Sequence, residues 1–258
     1  MTSSVILETK GLSKSFGDFT AVEMVDYSIC EGESAGIIGP NGAGKSTFFN
    51  LLTGMFPPSK GMIRFMGSDI TDQASFKRVS LGLVRTFQLV SVFNSLTVLD
   101  NLVLAAVPFN SQFTRMSRFM LGSAHRDEVL SLCEESLIRA GLEQKRWSLT
   151  SELSYGEKRM LEIAMALLLN PKVLLLDEPL AGLSEFEISD VLSIINSLRE
   201  QLTLVIIEHK ISRLVGIVER LSVMHQGQII AEGLPDQVLC DPTVRRVYWG
   251  ADDQACET

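Results

Sequence analysis

The 258 residues include 46% apolar and 21% charged side chains, ordinary globular usage that excludes a disordered or low-complexity chain. A net charge of −8 and a pI near 5.0 offer no basic footprint for a phosphate backbone, which argues against a nucleic-acid partner. The longest apolar candidate, residues 164–176, is interrupted by Asn170-Pro171-Lys172 and falls short of the roughly 18 residues of a membrane span. The first residues lack a basic segment followed by a long apolar run, so no secretory signal and a cytosolic location are expected. Cys30, Cys133, Cys240 and Cys256, and the histidines at 125, 209 and 225, have no ligand spacing, so no bound zinc is expected.

In chain order, residues 5–9 and 21–29 are β-rich and separated by Phe16-Gly17-Asp18-Phe19, which predicts an opening pair of antiparallel strands. Phe16 either stacks on an adenine or packs as an ordinary strand-end aromatic. The apolar run 35–38 then leads into Gly39-Pro40-Asn41-Gly42-Ala43-Gly44-Lys45-Ser46-Thr47 and a helix start, the strand, loop and helix context that a phosphate loop requires. Glycines 39, 42 and 44 let several N–H groups and a positive helix end face one anion. In such a loop Lys45 reaches the β- and γ-phosphates, Ser46 places a hydroxyl on Mg²⁺, and Thr47 donates to the α-phosphate.

Pro57-Pro58 marks a loop, residues 62–65 a strand, and 83–87 another strand leading to the polar Gln88. Thr97-Val98-Leu99-Asp100 has capping-box spacing and predicts a helix running toward Pro108. Residues 109–125 mix Phe109, Phe113 and Phe119 with Arg115 and Arg118 without a clean period, as in a partner-facing excursion, a loop or a short core helix. Helical spacing returns over 126–140 and stops at Gly141, so a helical lobe is expected over roughly residues 88–169. Ser154-Tyr155-Gly156-Glu157 is again a capping box opening an apolar-periodic helix. Lys158 and Arg159 put positive charge where the helix dipole disfavours it, which suggests an anion nearby.

Lys172-Val173-Leu174-Leu175-Leu176-Asp177-Glu178 reads as a buried strand ending in two carboxylates, the form of a Walker B strand. Asp177 is expected to help hold Mg²⁺, and Glu178 to polarise a water for attack on the γ-phosphate. Thr203-Leu204-Val205-Ile206-Ile207-Glu208-His209 repeats the scheme and places His209 at the carboxyl end of a second strand, within reach of the γ-phosphate.

Taken together, Phe16, the loop at Lys45, Gln88, Leu153-Ser154-Tyr155-Gly156-Glu157, Asp177-Glu178 and His209 resemble the ATPase subunits of ABC transporters over almost the whole chain. The resemblance implies an α/β fold: a P-loop NTPase (ABC ATPase) core with an antiparallel β subdomain and a helical subdomain. It implies one ABC ATPase domain over residues 1–258, with a C-terminal helical segment at 235–250. ATP would be hydrolysed with Mg²⁺ held by Ser46, Gln88 and Asp177, and with Lys45, Gln88, Glu178 and His209 as the catalytic set. Ser154, Tyr155, Gly156 and Glu157 match the signature that contacts the ATP of a second subunit. Tyr155 replaces the signature's first glycine, Glu157 its glutamine, and Ser184 the usual aspartate of the D-loop.

Arg85-Thr86-Phe87-Gln88, the helix start from Thr97 to Leu102, Ile207-Glu208-His209 and residues 244–250 look like the branched-chain amino-acid importer ATPases, although Trp249 stands where that group usually has leucine. Lipopolysaccharide-export and urea or amide systems are the alternatives, followed by cassettes acting on ribosomes or DNA. The implied partners are membrane permease subunits, a second ATPase subunit and a periplasmic or extracellular solute-binding protein, at the cytoplasmic face of the inner membrane.

Overall fold

The computed structural model describes residues 4–87, 90–106, 123–209 and 211–249. It opens with a hairpin longer than the sequence predicts: β1 (Val5–Phe16) pairs antiparallel with β2 (Phe19–Cys30) around Gly17 and Asp18. Polar residues and Gly11 hide the length of β1 from a pattern search, because register shifts between Thr9 and Leu12 break its alternation. With β4 (Lys60–Phe65) and β5 (Ser68–Asp69) these strands form a sheet of order β2-β1-β4-β5.

The second sheet has the order β10-β9-β3-β8-β7-β6. Its strands are β3 (Ser34–Ile38), β6 (Leu83–Arg85), β7 (Val173–Asp177), β8 (Thr203–Ile207), β9 (Arg220–His225) and β10 (Gln228–Gly233). All pairings are parallel except that of β10 with β9. Every residue of β3, β7 and β8 is buried, which is why these strands read as continuous apolar runs and not as alternating ones.

Helix α1 (Lys45–Leu52) follows the phosphate loop. Its Phe48, Phe49, Leu51 and Leu52 are buried in one core with residues from both sheets, so the helix is sandwiched between them. Burying each such side chain contributes about 1.5–3 kcal/mol. Its far end is held by Arg78 of α2 (Ser75–Ser80), which is 1% exposed. The guanidinium donates to the main-chain oxygens of Leu51, Leu52, Thr71 and Gln73 at 2.8–2.9 Å.

The other face of the parallel sheet is covered by α5 (Tyr155–Leu167), α6 (Glu185–Arg199), α7 (Ile211–Leu214), α8 (Pro235–Leu239) and α9 (Pro242–Trp249). A third core joins α3 (Val98–Ala106), α4 (Ser123–Arg139) and the outer face of α5. Helix α5 therefore serves two cores, with Ile163 and Leu167 against the sheet and Leu161 and Ala164 against α3 and α4. The Thr97 and Asp100 capping box opens α3, as its spacing predicts. Helix α4 begins three residues before the predicted start, and Gly141 at φ +66° follows it. The predicted segment 235–250 is two helices, because Pro242 can open a helix but not continue one. The excursion at 109–125 lies mostly outside the described residues, as does Gln88.

Candidate nucleotide-binding site

Strands β3, β8 and β7 are consecutive in the parallel sheet, so the segments leaving their carboxyl ends meet: the phosphate loop, Glu208-His209 and Asp177-Glu178. A cavity of about 230 Å³ lies there, lined by residues 41–47 together with Phe19, Ala21, Glu178 and His209. Gly44 at φ +101° opens α1, and a Cβ there would sit 2.3 Å from the Ala21 carbonyl oxygen, so only glycine allows the loop to lie against β2. A larger recess, beside Glu33, Arg220 and Glu232 at the amino end of the sheet, is crossed by the ion pairs of Arg220 with both glutamates and is structural.

Lys45 is buried and donates to the carbonyls of Gly39 and Pro40 at 2.6 and 3.2 Å, so the loop holds its own cation. Burial lowers the Lys45 pKa, opposed by the negative charges of Glu178 and Asp177. Glu178 sits at φ +48°, a left-handed backbone that costs a non-glycine residue about 1 kcal/mol, and its N–H donates to the Ile207 carbonyl at 2.9 Å. In this arrangement Glu178 Oε1 lies 2.6 Å from His209 Nε2, which joins the predicted base to the predicted imidazole. Glu208, whose role no local pattern signals, braces the backbone beside the pair. Its carboxylate accepts from the N–H groups of Leu180 and His209 at 2.8 and 3.1 Å, while burial raises its pKa.

Asp177 is 1% exposed, and its Oδ2 accepts from Arg85 at 2.5 Å. Arg85 also donates to Asn50 of α1 at 2.6 Å and lies near the rings of Phe49 and Phe87, so it ties β6, β7 and α1 together. Asp177 Oδ1 is buried without a hydrogen-bond partner among the described residues. An orphaned carboxylate oxygen, close enough to act electrostatically on Lys45, suits a hard divalent cation such as Mg²⁺. Phe16 ends β1, about half exposed, with its ring edge-on to Phe56 at 5.5 Å and the Lys14 ammonium 5.2 Å from its centroid. The aromatic lining the cavity itself is Phe19.

The Ser154 helix start has the predicted capping box: Ser154 Oγ accepts from the Glu157 N–H at 3.2 Å, and Glu157 Oε2 accepts from the Ser154 N–H at 2.8 Å. The expectation of an anion beside Arg159 is corrected. That side chain is fully buried and donates to Glu162 at 2.6 Å and to the Phe87 carbonyl at 2.7 Å, so its charge is already matched within the chain. The Gly156 N–H is also occupied, donating to Glu187 Oε1 of α6 at 2.9 Å.

The ABC transporter family model matches residues 22–181. The chain is an ABC transporter ATPase. A second model, the branched-chain amino acid ATP-binding cassette transporter, matches residues 228–253 of this cassette. The ATPase is 36% identical over 262 residues to the high-affinity branched-chain amino acid transport ATP-binding protein BraF of Pseudomonas aeruginosa, covering 96% of this chain and 99% of that one. It is 35% identical over 252 residues to LivG of Escherichia coli strain K12, with the same coverages. Among solved structures, the ADP conformation of MJ1267, an ATP-binding cassette of an ABC transporter, superposes with a TM-score of 0.85 at 33% identity, over 96% of this chain and 100% of that one. A nucleotide-free cassette from an ABC transporter superposes with a TM-score of 0.84 at 34% identity, with the same coverages. As an ABC ATPase, the chain binds and hydrolyses ATP. No helix among the described residues is long and apolar enough to cross a membrane.

Proposed function

We propose that two copies bind two ATP molecules head to tail and that closure drives a membrane permease importing branched-chain or other hydrophobic amino acids. The observation that carries the catalytic part is the 2.6 Å contact of Glu178 with His209 beside the Lys45 loop. Each ATP lies on residues 39–47 of one copy, its adenine on Phe16, with the Ser154 to Glu157 signature of the other copy closing over the γ-phosphate. Glu178 takes the proton of the attacking water, and His209 orients Glu178 and meets the γ-phosphate. Lys45 and Gln88 complete the catalytic set. Ser46, Gln88 and Asp177 would hold Mg²⁺, which would supply neutralisation of phosphate charge.

We read the chain as one domain with a helical lobe near 88–169 and a C-terminal helical segment at 235–250, working at the cytoplasmic face of the membrane with a solute-binding protein outside. The choice of solute is supported by the branched-chain amino acid transport named for the relatives BraF and LivG and by the family match at 228–253. In the test, Glu178→Gln keeps ATP affinity and lowers turnover by roughly 10²-fold or more, the usual scale of a lost general base. Wild-type turnover removes Glu178 from that role. Purification with its membrane subunits, followed by leucine uptake into proteoliposomes, tests the solute, and ATP-dependent uptake of urea without leucine overturns it.

A further inference from the structure

Within one copy, an amide of the Ser154 to Glu157 segment, which the reading above closes over the γ-phosphate of the other copy's ATP, is held by a carboxylate of the same chain. Gly156 N–H donates to Glu187 Oε1 at 2.9 Å, and Glu187 Oε2 accepts from the N–H and the hydroxyl of Ser184 at 3.0 and 2.8 Å. One side chain thus caps its own helix α6 and reaches back to the first turn of α5. The approach is close enough to require glycine, since a Cβ at residue 156 would lie 2.8 Å from Glu187 Cγ. The neighbouring donors are used locally: the Ser154 and Glu157 N–H groups both serve the capping box. On the other side of the junction the Tyr155 ring lies against Gly182, with 3.3 Å from Cε1 to the position a Cβ would take there.

A single N–H cannot serve both Glu187 and a phosphate oxygen at full strength, and two anions brought to one donor repel each other, the more so once closure excludes water. We propose that Glu187 is a positioning residue that opposes closure, holding the Gly156 amide in the separated copy and withdrawing when the partner's ATP arrives. The proposal rests on the head-to-tail reading above. It assigns Glu187 a cost in the closed state and a benefit in the open one, which a plain structural tie would not have.

The test is made in the Glu178→Gln background, where the reading above expects ATP-closed dimers to accumulate because hydrolysis is slowed, by sedimentation across ATP concentrations. Glu187→Gln keeps the shape and removes the charge; it is expected to lower the ATP concentration for half-maximal dimer by roughly fivefold or more, the low end of coupling between linked sites. The ATP affinity of the separated copy stays unchanged. Glu187→Ala, which also removes the tie, moves the threshold the same way and serves if the amide variant fails to fold. If both variants need as much ATP as the Glu178→Gln parent, or more, the proposal is overturned and Glu187 is only a structural tie. Ser154→Arg in the same background separates the two readings. If it dimerises at the parent's ATP concentration, the head-to-tail reading and this proposal both fall. If it is blocked while the Glu187 variants match the parent, only the proposal falls.

Discussion

Arg159 of α5 donates to the carbonyl of Phe87 at 2.7 Å, and Glu162, one turn on, accepts from the N–H of the same residue at 2.9 Å. Both groups of one peptide position at the end of the β6 segment are therefore held by an ion pair buried at 0% and 8% side-chain exposure. Burial raises the Glu162 pKa despite the attraction of Arg159, so the carboxylate depends on its partner. Arg159→Met should cost about 3–5 kcal/mol, the scale for stranding one member of a buried pair. Arg159→Met with Glu162→Leu should cost less than the two single changes summed, by about 1 kcal/mol or more. Urea unfolding of the four chains measures the cycle, and additive costs would show that the pair does not act as a unit.

The head-to-tail reading predicts complementation. Ser154→Arg breaks the signature of one copy and Lys45→Ala breaks the phosphate loop of the other, so a mixed dimer has one site intact and one doubly broken. Mixing the inactive variants should restore part of the hydrolysis of the unmodified dimer. With mixed dimers shown by native mass spectrometry, absence of recovery and of any trapped ATP would count against composite sites.

Phe16 presents a half-exposed ring backed by Phe56 and Lys14, a supported platform for a base. Phe16→Ala should weaken ATP binding by about 1–2 kcal/mol, the scale of one base and aromatic stack. An unchanged dissociation constant, with the fold intact by circular dichroism, would leave the ring a packing role with Phe56.

The Glu187 carboxyl is held down to about 2, from an ordinary 4.5, by the N–H groups of Gly156 and Ser184 and by serine hydroxyls. A depressed carboxyl stabilises the folded chain above its unfolded pKa, and that stability is lost as pH falls through the folded value. Glu187→Gln should therefore melt lower than the parent near neutrality, and the gap should close as pH falls from about 4.5 toward about 2. A gap that stays constant with pH would mean that the charge contributes nothing to these bonds.

The parts of the site legible in the sequence are those whose chemistry is local. The loop at Lys45, the Asp177-Glu178 strand end and the capping boxes at Thr97 and Ser154 each declare themselves within nine residues, because one turn, cap or strand satisfies them. What stayed hidden joins distant segments: Arg85 to Asp177, Arg159 to Phe87 and Gly156 to Glu187 lie 92, 72 and 31 residues apart. Arg159 shows the cost of reading charge locally. At its position a surface cation and a buried clamp have the same spacing, and only the fold brings Phe87 against it. Of the long helix α6, only the opening Ser184 and Glu187 carry a start signal, the same serine-x-x-glutamate spacing that identified α5.

Arg78 has a consequence for how this cassette can change over time. All of its acceptors are main-chain oxygens, of Leu51, Leu52, Thr71 and Gln73, so these bonds ask nothing of the side chains at those four positions. Substitution there would leave the anchorage of α1 in place, provided that the core stays filled. Residue 78 has no such latitude, since an ammonium cannot span four oxygens with the fixed fork of a guanidinium. The far end of the phosphate-loop helix is thus secured by chain path and one residue, and its surroundings are free to drift in composition while the loop keeps its place.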